Sequence, residues 1–117
     1  MRLVADIAVL VVALLHILFL VLEMFLWTTP FGRRTFGLSR ELAENTKALA
    51  ANQGLYNGFL AAGLIWGIVS GTFDVKVFFL ACVIVAGVFG AITAKRSILF
   101  VQALPALIAL AAVWVSR

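Results

Sequence analysis

Four long apolar runs, parted by short polar breaks, leave this chain few folds to choose from. They cover residues 3–28, 49–70, 75–94 and 97–116. A helix needs about 20 predominantly apolar residues to cross a bilayer core, and each run is near that length. The chain is 65% hydrophobic and only 12% charged, with a mean hydropathy of +1.18. A soluble domain of 117 residues would lack the charges to cover its surface. The pattern predicts an all-α fold: one domain over residues 1–117, a polytopic membrane protein built as an antiparallel bundle of four transmembrane helices.

The first apolar stretch, Ile7 to Trp27, exceeds the roughly 7–15 residues of a signal-peptide core. It runs on into "TTPFGRR" with no small-residue cleavage site, so it reads as a retained span closed by Pro30. The links "SGTFD" and "KRS" are short and imply antiparallel neighbours. The first link, "TPFGRRTFGLSRELAENTKALA", is much longer. Gly32 and Gly37 suit turns, Ser39 suits an N-cap, and Glu41 would face the helix dipole. Leu38, Leu42, Thr46 and Leu49 fall on one stripe, which predicts a short amphipathic helix on the membrane surface. A solvated connector is the alternative.

Lysine and arginine counts set the orientation. Arg2, Lys76 and Arg117 lie on the side of both termini, against Arg33, Arg34, Arg40, Lys47, Lys95 and Arg96 on the other. The long loop is thus expected in the cytoplasm of a bacterial inner membrane, with both termini outside. The net charge is +4, but the basic residues are scattered, so lipid head groups rather than nucleic acid are the expected counter-charges. Small residues recur every four positions at Gly54–Gly58–Ala62, Gly63–Gly67–Gly71 and Ala86–Gly90–Ala94. Such ridges permit close helix packing within one chain or in a homodimer.

The polar residues inside the runs share a depth. His16 and Glu23 are seven apart, within about 20° of each other on one helical face, with Trp27 continuing it. Gln53, Tyr56 and Asn57 form a stripe at the start of the second run, with Asn52 beside them. Gln102 lies about two turns into the fourth run. Glu23, Gln53, Asn57 and Gln102 therefore come to one leaflet. They either satisfy one another or line a cavity, and an intramembrane carboxylate is a functional candidate in its own right. One histidine and one glutamate make no usual ligand set, so no metal and no cofactor is expected. Cys82 is the only cysteine. There is no phosphate loop, nucleophile elbow, CxxC or HExxH, so nucleophilic catalysis has no support and the balance leans away from an enzyme without closing the question.

"LEMFLWTTPFGRRTFGL" and "LAANQGLYNGFLAAGLIWG" resemble the bacterial small integral membrane proteins grouped as domain of unknown function 1304. Glu23, Trp27, Pro30, Phe36–Gly37, Asn52–Gln53–Gly54 and Asn57–Gly58 carry the likeness. It implies a four-helix membrane protein and supplies no activity. Three functions stay open: a transporter or binding protein for a small molecule, cation or proton at Glu23; an intramembrane enzyme or receptor for a lipid-soluble molecule; and a structural or partner-binding membrane protein.

Overall fold

The computed structural model describes all 117 residues, and its regular elements are all helical. α1 spans Arg2–Met24, α2 Pro30–Phe36, α3 Arg40–Asn45, α4 Lys47–Ser70, α5 Phe73–Thr93 and α6 Leu104–Val115. A π-helical turn, Leu99–Ala103, leads into α6. The chain separates into two compact units, residues 1–14 with 60–117, and residues 15–59.

Two helices, α1 and α5, are long and apolar enough to cross a membrane. The expectation of four spans is met for these two only. α4 has the length, at 24 residues, but Lys47, Asn52, Gln53 and Asn57 dilute its apolar character. The fourth run is shortened to 17 residues, Leu99–Val115. Neither α1 nor α5 behaves as the buried core helix of a soluble fold. Only 28% and 22% of their most apolar 18-residue stretches are buried within the protein.

In the unit of residues 1–14 and 60–117, Ala5, Val9, Val12, Leu64, Leu80, Val83, Ala106 and Ala109 form a fully enclosed apolar core. Small residues on α6 let α5 lie close against it. Pro105 has no N–H to give, and the ladder ahead of it widens: the Leu104 N–H reaches back five residues to Leu99 O. The tightest approach on α5 is at Gly87, while Gly90 of the Ala86–Gly90–Ala94 ridge packs against Ile98, where a Cβ would stand 3.2 Å from Cγ2. A Cβ on Gly87 would stand 2.7 Å from the Ala103 backbone nitrogen. Backbone cannot swing aside, so Gly87→Ala should destabilise by about 1–3 kcal/mol. Gly54→Ala, which meets the flexible Met24 Cγ at 2.7 Å, should cost less; thermal unfolding in detergent compares the two. Gly71 is not a packing residue either: at φ 65° it makes the turn between α4 and α5.

In the unit of residues 15–59, α1 stops at Met24, four residues short of the expected Thr28. The Leu26 N–H bonds five residues back to Val21 O, which unwinds the last turn. Pro30 then opens a helix rather than merely closing one. Thr29 caps α2 by accepting from the Gly32 N–H at 3.1 Å, and Pro30 occupies the first turn, where a missing N–H costs nothing. Gly37, at φ 67°, ends α2, and its N–H donates to Arg33 O. Ser39 caps α3 by accepting from the Leu42 N–H at 3.1 Å, with Glu41 in the first turn. The single amphipathic helix expected in this loop is therefore two short helices.

Candidate functional site

Glu23 lies on the last turn of α1, half-buried. Asn57, about three turns into α4, is buried and donates its Nδ2–H to Glu23 Oε1 at 2.5 Å. Glycines make this contact possible. A Cβ on Gly54 would come within 3.1 Å of Glu23 Cβ, and one on Gly58 within 2.7 Å of Leu20 Cδ1. Bare backbone on that face of α4 lets the end of α1 settle against it. A carboxylate offers about four acceptor positions, and the Asn57 amide uses one.

Beside this pair opens a groove of about 360 Å³ lined by Glu23, Trp27, Leu38, Leu42, Thr46, Leu49, Ala50 and Gln53. The stripe Leu38–Leu42–Thr46–Leu49 read from the sequence supplies one wall, although it is assembled from the link before α3, α3 itself and the start of α4. Trp27 reaches the groove from the turn after α1 rather than along the helix. It is fixed there twice: Nε1–H donates to Thr46 Oγ1 at 3.0 Å, and the indole packs on Phe36 with ring centroids 4.9 Å apart. Thr46 Oγ1 in turn donates to Leu42 O at 2.7 Å. Glu23 is the one ionisable group in a wall otherwise made of apolar side chains, an indole edge, a tied hydroxyl and the Gln53 amide.

The remaining sequence candidates go elsewhere. Asn52 is exposed and donates to Ala48 O of its own helix at 2.9 Å. Tyr56 is 58% exposed and meets Phe59 edge-on, so it does not face Glu23. The reason is angular. At about 100° per residue, Asn52 and Tyr56 both lie some 160° round α4 from Gly54, whereas Asn57 lies only about 60° from it. His16 is fully buried, with Phe19 edge-on at 5.2 Å, and does not line the groove. Gln102 sits half-buried on the π-helical turn, in the other unit. No group of three or more His, Cys, Asp or Glu side chains is placed to hold a metal ion.

One polar pair was not read from the sequence. Lys76 Nζ donates to Asp6 Oδ1 at 2.8 Å, and Lys76 is only 6% exposed. Two opposite charges, each embedded in an apolar run near the same end of its helix, are the signal that could have found it.

An all-helical chain with two helices apolar enough to cross a membrane, and an amide-held carboxylate at the end of one of them, defines the class: a small, apolar helical protein with a carboxylate at the wall of a mostly apolar groove. The chain belongs to the family of proteins of unknown function DUF1304, whose model matches residues 10–114. It is also similar to the uncharacterized protein YpaA of Lactococcus lactis subsp. lactis (strain IL1403), with 30% identity over 105 residues, covering 86% of this chain and 88% of that protein. No solved structure matches.

Proposed function

We propose that this is a four-span bacterial inner-membrane protein that binds a small molecule, cation or proton at Glu23 and passes it across the bilayer. The observation that carries the reading is the Glu23 carboxylate, held by Asn57 at the wall of an open, mostly apolar groove. A carboxylate near the hydrocarbon is costly to keep, by up to about 2.5–3.5 kcal/mol at a helix centre. A purely structural acceptor for Asn57 could be a neutral amide at less cost.

Membrane residence is supported by what the helices leave uncovered. Leu3, Val4, Ile7, Leu14 and Leu18 of α1 are half or more exposed, as are Phe78, Val85, Phe89 and Ile92 of α5. α4 joins them as a span: its 24 residues reach about 36 Å at 1.5 Å each. The run Leu99–Val115 gives about 25 Å, at the short end of the range. The basic residues of α2, α3 and the start of α4 then face the cytoplasm by the lysine and arginine bias, and the groove opens on that side.

In proteoliposomes enclosing a pH-sensitive dye, with a valinomycin-set potential, the wild-type protein should speed proton equilibration. Glu23→Gln should lower that rate at least tenfold while keeping the amide contact to Asn57. An unchanged rate in the variant refutes transport through Glu23. The apolar wall of Trp27, Leu38, Leu42 and Leu49 favours a second reading, a receptor or enzyme for a lipid-soluble molecule. It expects a lipophilic compound to co-purify with the wild type and to be lost in Glu23→Gln.

A further inference from the structure

A second cavity lies at one end of the unit formed by residues 1–14 and 60–117. It is small, about 40 Å³, and is lined by Arg2, Gly71, Phe73, Lys76, Val113, Ser116 and Arg117. Three of these seven residues are cations, and no side-chain carboxylate lines the space. Asp6 holds Lys76 Nζ at 2.8 Å but is not part of the wall. Asp6 already compensates Lys76, so Arg2 and Arg117 carry the side-chain charge that an anion in the space would join.

Two of the cations, Arg117 and Lys76, are also held in place. The Arg117 guanidinium lies 4.6 Å from the Phe73 ring centroid and 5.6 Å from that of Trp114, so two aromatic faces steady it. Lys76 is 6% exposed, and its stem is packed against Gly67, where a Cβ would meet Lys76 Cγ at 2.8 Å. Holding the donors in advance removes much of the ordering cost of binding. Phe73, which lines the cavity, is also the first residue of α5, so the positive dipole end of α5 meets the negative end of α6 there and the side-chain cations set the sign of the field. At its N-cap the Thr72 hydroxyl is drawn to Ser70 Oγ at 2.7 Å and makes no cap bond to the first-turn amides. The Ser116 hydroxyl borders the space but already donates to Val113 O at 3.1 Å, so the cations are the donors the space offers.

We infer that this cavity binds a phosphate group. A guanidinium matches a phosphate through two parallel N–H donors, and an ammonium complements it as a point charge. The volume suits a small oxyanion: about three water-sized positions at 10–15 Å³ each. Arg2 begins α1, Phe73 begins α5, and Ser116 and Arg117 follow the last residue of α6. A cavity at helix ends sits where the phosphates of a bilayer lie, so an anionic lipid and free phosphate are the two sources of the same chemistry. The inference does not depend on Glu23.

The test uses the full chain in detergent, with native mass spectrometry reading bound phosphatidylglycerol against phosphatidylcholine. Arg2→Gln/Arg117→Gln should weaken phosphatidylglycerol retention at least tenfold. Arg33→Gln/Arg34→Gln removes the same charge away from the cavity and should leave retention unchanged. Both arginines of the first pair are exposed at helix ends, so the variant should fold, and equal thermal unfolding checks it. Arg2→Gln alone should give an intermediate loss. If inorganic phosphate at millimolar concentration displaces the lipid, the site takes the free anion as well. If phosphate has no effect while the first pair of arginines still matters, the lipid is the ligand. Equal losses in the two double variants, or no preference for phosphatidylglycerol in the wild type, overturn the inference.

Discussion

Asp6→Leu should destabilise the protein by about 3–5 kcal/mol, the cost of breaking a buried ion pair from one side. The asymmetry of the pair sets the order of effects. The Lys76 side chain is 8% exposed and that of Asp6 27%. Removing Asp6 strands the deeper charge, with its stem pinned against Gly67 and only the small cavity it lines to turn to. Lys76→Met strands the shallower one, which can rehydrate, and should cost less than half as much. Asp6→Leu/Lys76→Met should recover most of the loss, because two apolar side chains of similar size carry no charge to desolvate. Unfolding in mixed micelles, followed by circular dichroism, gives the three values. A double variant as unstable as Asp6→Leu would mean that the ion pair itself, and not the stranded charge, sets the stability.

That pair also marks how far the sequence could be read. Composition and run lengths gave an all-helical, strongly apolar chain, because both follow from counting. The Ser39 cap and the stripe Leu38–Leu42–Thr46–Leu49 were readable for the same local reason: caps and stripes are set by neighbours three or four residues away. The contact between Glu23 and Asn57 was readable as a pairing of depths. What failed was angular. Spacings of three and four from Gln53 put Tyr56 on one stripe with Asn57, and nearness added Asn52, but Gly54 and Gly58 mark the packed face, and Asn52 and Tyr56 lie opposite it. Pro30 was ambiguous in principle: "TTP" ends one helix and, with Thr29 as cap, begins the next. The path of α2 and α3 depends on a turn whose geometry rests on Gly32 lying against the Leu26 carbonyl, a contact that no local pattern announces. The cavity lined by Arg2, Lys76 and Arg117 joins three distant stretches of chain, so only the fold could assemble it.

Asn57→Leu decides whether the amide holds Glu23 for the fold or for a ligand. The variant removes the donor to Glu23 Oε1 and leaves a carboxylate beside a leucine. Hydrogen bonds to charged groups contribute about 1.5–3 kcal/mol, and stranding such a group costs at least as much. Interhelical hydrogen bonds measured within membranes are weaker, averaging about 0.6 kcal/mol. Asn57 is 7% exposed, and Glu23 stands half-buried on the last turn of α1 beside the open groove. A loss of about 2 kcal/mol in unfolding free energy is therefore the expected value, between the two scales. Glu23→Gln keeps an acceptor in the same place and should cost under 1 kcal/mol, a neutral amide bond exchanged for a charged one. The two variants then separate the roles. If the contact serves the fold alone, stability falls in Asn57→Leu and proton flux follows it, while Glu23→Gln retains both. If Glu23 is held ready for a ligand, Glu23→Gln keeps its stability and loses flux, and Asn57→Leu loses both. The second pattern is the expected one, since glutamine can accept from the same Asn57 amide and the contact alone does not require a carboxylate.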